Sequence, residues 1–315
     1  WTLARGFTVV IQQEPERLAR AATRTGHDTR PIDFSLFYFA ADAAEAAGGK
    51  YRLLLEGAKY ADEHGFSAVW TPERHFHAFG GLYPNAALTG AAVAAVTRRI
   101  GIRAGSVVLP LHNPIRVAEE WSVVDNLSNG RVGLSFASGW HARDFVLQPE
   151  NYKNRRELMA SGIETVKALW RGEAVKAVGG DGQPVEVKTF PPPVQRDPKM
   201  WVTASPQPVT FPLAGRLGAN VLTNLLVMKR EQLVENVAIY RKAWTDAGHG
   251  GAGMVTLMLH TFVGSDAEAV RSKVRGPFLE YLKTSTDLIS KMRWELTAFA
   301  KGDDRKDSAG SHMNL

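Results

Sequence analysis

Short apolar runs alternate with longer stretches in which apolar side chains recur every three or four positions, from Asp33 almost to the end of the chain. Runs of the first kind suit strands buried on both faces, and the second pattern suits helices that cover them. The predicted strands are FSLFYF (34–39), SAVWT (67–71), IRAGSVVL (102–109), RVGLSFA (131–137), MWVTA (200–204), ANVLTN (219–224) and MVTLMLHTFV (254–263). Helices are expected near 50–64, 86–98, from Pro114, near 153–171, briefly after Ser205, through Leu233–Trp244, and from about 266. The stripe Val117, Trp121, Val124, Leu127 fits one helical face, as does Met159, Ile163, Val166, Trp170. Pro114 suits a first helical turn, and Gly65 and Gly130 suit helix ends that need left-handed backbone.

This βα alternation predicts an α/β fold with a parallel sheet, closed as a TIM-type (β/α)8 barrel. The rhythm breaks at 172–199, where two short β-like pieces flank GGDG and PPP follows at 191–193. An inserted hairpin lying over the barrel mouth is expected there. Residues 1–30 read as an appendage: a strand FTVVI (7–11), a helix at 15–25 and a linker HDTRP. The barrel domain is drawn as 31–300, with a polar tail at 301–315. Seven strands leave one position of eight to fill. It could come from beyond Leu315, from FTVVI, or remain open; the first is preferred.

Composition narrows the function classes. A chain of 315 residues with 44% hydrophobic content can bury one large core. The net charge of +6 is spread without a dense basic run, so nucleic acid is not the expected partner. There are no cysteines, which removes thiol nucleophiles and thiolate zinc sites and fits a reducing cytoplasm. No stretch is long and apolar enough for a membrane span, and WTLARGFTVV lacks the features of a signal peptide. A first residue Trp1 rather than Met is what a piece excised from a larger synthase would show.

Polar, aromatic and glycine residues gather where the apolar runs end: FYF (37–39), TPERHF (71–76), LPLHNP (109–114), SFASGW (135–140) and VTASP (202–206). In a βα barrel these ends share one face, where active sites are built. Glu73, Arg74 and His75 are the candidate catalytic residues, because a titrating imidazole beside a carboxylate and a guanidinium suits acid/base work. His75-x-His77 is also a familiar metal-ligand spacing, but no further ligand pattern completes a site, so no metal is expected. Gly139 would let a flat ligand approach the backbone between Ser138 and the apolar wall of Trp140. Thr203, Ser205 and Thr210 lie where hydroxyls and a helix start could receive a phosphate. Arg155 and Arg156, just after Tyr152, could reach the same group from the rim. No G-x-G-x-x-G follows a strand, no Walker A is present, and GLSFA (133–137) misses the hydrolase elbow.

The stretches FSLFYF, WTPERHF (70–76), LPLHNP through DNLSNGR (125–131), Gly139-Trp140 and GANVLT (218–223) together resemble the bacterial luciferase-like flavin monooxygenases. More narrowly, they are similar to the subgroup associated with nonribosomal peptide and polyketide assembly. The resemblance implies a (β/α)8 barrel that uses reduced FMN, supplied by a separate reductase, together with molecular oxygen. It implies oxygenation of a natural-product intermediate that a carrier protein could hold, and a homo-oligomeric protein. Phe37, Phe39, Phe76 and Trp140 would wall the pocket, Ala137, Ser138 and Gly139 would face the isoalloxazine, and Ser205, Thr210 and Arg155 or Arg156 would hold the phosphate. Luciferases carry two adjacent histidines after the glutamate; here Arg74 takes the first place and His75 the second. The rival expectations are a flavin or deazaflavin hydride-transfer enzyme on the same barrel, a metal-dependent barrel hydrolase, and a non-catalytic domain serving assembly.

Overall fold

The computed structural model describes residues 7–12, 32–39, 49–204, 209–226 and 228–283. Two compact units divide the chain: Phe7–Thr261, and Trp1–Gly6 with Phe262–Leu315. In the second, a helix runs over 267–283 and stacks Phe278 on Tyr281 at 6.2 Å.

The larger unit contains the strands β1 (Phe7–Gln12), β2 (Asp33–Tyr38), β3 (Ala68–Thr71), β4 (Gly101–Val108) and β5 (Val132–Ala137). The hairpin strands β6 (Val175–Val178) and β7 (Pro184–Val187) follow, then β8 (Lys199–Thr203), β9 (Asn220–Asn224) and β10 (Val255–His260). Its helices are α1 (Arg52–Glu63), α2 (Ala86–Val96), α3 (Pro114–Ser128), α4 (Arg155–Trp170), α5 (Thr210–Arg216) and α6 (Arg230–Asp246). The strands close in the order β1-β10-β9-β8-β5-β4-β3-β2. All neighbours from β2 round to β10 pair in parallel, and β1 pairs antiparallel with both β2 and β10.

The eighth place, which the sequence favours filling from beyond Leu315, is therefore held by FTVVI. Two parallel edges at β2 and β10 each present unpaired backbone groups, and one strand of either direction satisfies both. The expected helix at 15–25 and the tail at 301–315 lie outside the described residues.

Period-two alternation sorts each strand between two cores. Leu36, Val69, Ile102, Leu134, Phe136, Val202 and Val221 face outward into a cluster with Leu54, Trp121, Ile163 and Phe211 of the helices. Phe37, Trp70, Trp201 and Leu222 fill the barrel, with Trp70 edge-on to Trp201 at 5.0 Å. Arg103 closes the amino end. Its Nη1 donates to Arg131 O at 2.7 Å, and its guanidinium lies 5.5 Å from the Trp201 ring centre. Glycines make the room: a Cβ on Gly133 would stand 2.7 Å from Arg103 Cδ.

The caps follow the sequence closely. Pro114 opens α3 behind an Asn113 side chain that accepts from Ile115 N at 2.9 Å. Asn129 takes the left-handed backbone first (φ 55°), ahead of Gly130 (φ 80°). Asn tolerates this region better than other side-chain-bearing residues.

The hairpin corrects an expectation. It forms between α4 and β8, but the chain at the end of a barrel helix has returned to the amino ends of the strands. The return segment confirms that position. Gln195 donates from N and Nε2 to the Asp125 carboxylate at 2.9 and 2.6 Å, and from Nε2 to Val132 O at the start of β5 at 3.0 Å. Asn126 Nδ2 donates to Pro192 O at 2.9 Å. The hairpin belongs to the face opposite the mouth. Among the described residues, no helix is long and apolar enough to cross a membrane.

Asp125 is fully buried, and its loss would strand the Gln195 donors. Asp125→Ala should lower the unfolding free energy by about 2 kcal/mol, measured by urea denaturation, without changing ligand binding at the distant mouth.

Candidate active site

Glu73 organises the carboxyl-end face. It follows β3 directly, and its side chain is 2% exposed. Oε1 accepts from His75 Nε2 at 2.7 Å and from His112 Nε2 at 2.6 Å. Oε2 accepts from the Val108 backbone N–H, at the end of β4, at 2.7 Å. Burial alone would push this carboxyl up, but the bonds from His112, His75 and Val108 hold it below its ordinary value of 4.5. Burial likewise opposes the charge on His112, yet the Glu73 partner raises it above 6.5.

Arg74 points to the next loop. Its Nη1 donates to Asp144 Oδ2 at 2.6 Å, and its guanidinium lies 5.3 Å from the Trp140 ring centre. His141 Nδ1 lies 3.5 Å from the other Asp144 oxygen. Burial pushes Asp144 up and Arg74 down, and their pairing opposes both shifts. Gly80 packs on the stem: a Cβ there would stand 2.9 Å from Arg74 Cγ and from Phe39 Cζ. Phe39 in turn meets Phe79 at 4.8 Å.

A third cluster is made of hydroxyls. The β4–β5 register shifts between Gly105 and Val107. Ser106 there donates to Ser135 Oγ at 3.4 Å and hydrogen-bonds Thr203 Oγ1, and Ser135 and Thr203 are 2.8 Å apart. Gly105 is required beside it, because a Cβ would lie 2.6 Å from the Phe37 ring.

The remaining expected residues separate into groups. Ala137, Ser138 and Gly139 continue from β5, with Gly139 at φ 75° packed so that a Cβ would meet Phe145 at 2.8 Å. Arg155 is committed to the scaffold: Nε donates to Gly139 O at 3.2 Å, Nη1 to Tyr152 O at 2.8 Å, and its face covers the Tyr152 ring. Tyr152 packs edge-on to Phe145 and helps to line an open groove of about 370 Å³ with Val146 and Pro149. Arg156 is exposed on α4, and Thr210 begins α5. Phe76 is exposed, with φ 51°. His77 Nδ1 accepts from Phe79 N at 3.1 Å. Ser205 lies outside the described residues.

His112, Asp144, Ser106 and Ser135 are the members that motif inspection left out. His112 sits inside LPLHNP, a stretch conspicuous at a strand end. Asp144 carried no signal, since a carboxylate in a loop is ordinary until its partner is known.

A family model for luciferase-like monooxygenases matches residues 32–313. The chain belongs to the luciferase-like monooxygenase family. Its sequence is 27% identical, over 75% of the chain and 66% of the relative, to the oxygenase component of flavin-dependent trigonelline monooxygenase from Acinetobacter baylyi. It is 32% identical, over 53% of the chain and 51% of the relative, to an F420-dependent glucose-6-phosphate dehydrogenase from Amycolatopsis mediterranei. These matches span two thirds or less of each relative. Among solved structures, monooxygenase RslO1 from Streptomyces bottropensis superposes with a TM-score of 0.67, at 27% identity, over 84% of this chain and 78% of that one. The oxygenating constituent of 3,6-diketocamphane monooxygenase, solved with FMN, shares the fold at a TM-score of 0.58 and 19% identity, over 66% of this chain and 60% of that one.

For this family member, the Glu73 cluster predicts a two-sided pH dependence. The depressed carboxyl contributes stability above pH 4.5 that is lost as pH falls through its folded value. The raised His112 contributes stability below pH 6.5 that is lost as pH rises through its folded value. Glu73→Gln should remove both slopes and cost about 3 kcal/mol near neutrality. His112→Asn should remove the alkaline slope and also weaken the acid slope, because the His112 bond helps to hold the Glu73 carboxyl down. Denaturant melts across pH 3–9 measure this; an unchanged alkaline slope in His112→Asn would refute the assignment.

Proposed function

We propose that this chain is the oxygenase of a two-component system, a cytoplasmic homo-oligomer that takes reduced FMN from a separate reductase and oxygenates a natural-product intermediate. The observation that carries the proposal is the convergence of Glu73, His75, His112, Arg74 and the Ser106–Ser135–Thr203 hydroxyls towards the carboxyl ends of the strands of a luciferase-like barrel. Motif resemblance to the assembly-line subgroup supports the substrate class, including a carrier-tethered one. The relative named as an oxygenase component supports the separate reductase.

The described residues fit a flavin. Aromatic walls at Phe39 and Phe79 suit a flat ring system, and the hydroxyls of Ser106, Ser135 and Thr203 suit its polar edge. Ala137 to Gly139 would face the rings, while Thr210 with Ser205 would hold the phosphate. Arg155 would act by fixing the Gly139 backbone. Reduced FMN with oxygen supplies the oxidising chemistry. This chain's own part is to exclude water with its aromatic walls and to manage protons.

His75 is suited to the second task. The Glu73 carboxylate only accepts, so the His75 proton sits on Nε2 and Nδ1 is the atom that can take or return a proton. His75→Ala should bind FMN normally but divert several-fold more oxygen to peroxide. Equal coupling of oxygen use to product in variant and parent would remove His75 from the mechanism.

The 32%-identical F420-dependent relative supports a second reading, hydride transfer without oxygen. Anaerobic titration with reduced FMN, followed by an oxygen pulse, separates the readings. Tight binding with slowed, protein-dependent flavin reoxidation supports the oxygenase. Binding of reduced F420 in preference to FMN supports hydride transfer. No affinity for either would indicate a non-catalytic assembly domain.

A further inference from the structure

Arg74 has an unused edge. Its residue is 5% exposed, and its Nε and Nη2 have no hydrogen-bond partner among the described residues. These two atoms are not scattered. In a guanidinium, Nε–H and one Nη–H point the same way and form a planar fork that matches the two oxygens of a carboxylate. The other terminal nitrogen, Nη1, is taken by Asp144. Trp140 lies over the guanidinium, and Gly80 and Phe39 enclose the stem. Held at its stem, one face and one nitrogen, the group has little freedom left except to present that edge. Leaving two charged donors unsatisfied in a buried site is costly, which favours a ligand that meets them.

We propose that the Nε/Nη2 edge of Arg74 binds a carboxylate of the substrate. The assignment rests on the oxygenase reading for its identification of the ligand as substrate, and it narrows that substrate to an acid. A carrier-tethered substrate would have to present a carboxylate separate from the thioester carbonyl. The position suits recognition: Arg74 neighbours Glu73 and His75 in sequence, so an anchored carboxylate lies near the proton-handling residues. Asp144 is a positioning residue here, acting through Nη1. Trp140, 43% exposed, supplies an apolar surface against which the body of such an acid can lie.

The test is direct binding by calorimetry, with acetate, benzoate and indole-3-carboxylate each compared with its neutral amide, on FMN-loaded protein and on protein without flavin. At least one acid should bind about ten-fold more tightly than its amide. Arg74→Lys keeps the charge but loses the fork; it should abolish that preference while changing the FMN dissociation constant less than two-fold. Should Arg74→Lys fail to fold, Trp140→Leu removes both the apolar surface and the ring that covers the guanidinium, and should reduce the same preference. The proposal is overturned if no acid is preferred over its amide. It is also overturned if Arg74→Lys loses FMN and acid together, because the edge then serves the flavin phosphate. If the acid preference survives in a protein that does not bind FMN, the oxygenase reading fails and the carboxylate site stands.

Discussion

The mouth of the barrel depends on keeping one carboxylate charged where water cannot reach it. A buried carboxylate without partners takes up a proton or destabilises the fold. Glu73 is stabilised by donors from three places: its own loop through His75, the end of β4 through the Val108 N–H, and the turn after β4 through His112. The same three bonds tie those segments to each other. The electrostatic requirement of one side chain thereby sets the geometry of the β3 and β4 loops.

Around that anchor the site is built in opposed pairs. Arg74 and Asp144 connect the β3 loop to the segment after β5, and Arg155 ties that segment to Tyr152 near the start of α4. The hydroxyls of Ser106, Ser135 and Thr203 cross three adjacent strands below. Each link is a polar group satisfied by a distant one, so the loops are held by tertiary bonds more than by local propensity. This is preorganisation of the kind a water-excluding site needs. At the other end, Arg103 packs against Trp201 inside the barrel.

Much of this was legible from residues in order. The seven parallel strands and their helices follow from periodicity, and Pro114 and Gly130 mark the ends of α3, although Asn129 is the first residue to turn left-handed. The active face follows from strand ends rich in polar residues. Two placements were not legible. FTVVI is one of three candidates for the eighth place but not the preferred one, because nothing local reveals that it is the strand that bridges β2 and β10. The hairpin at 175–187 reads as a lid because its sequence is polar and turn-rich, while its side of the barrel is set by the direction of α4.

Among the site residues, the sequence by itself determined which could do chemistry: Glu73, Arg74 and His75 stand at a strand end in a barrel pattern. Only the tertiary structure decided what each one does. Partners 35 to 70 positions away, Val108, His112 and Asp144, determine whether these groups stay charged and which atoms remain available. The reason is physical. A side chain's type is local, but its desolvation and its hydrogen-bond partners are properties of the assembled interior.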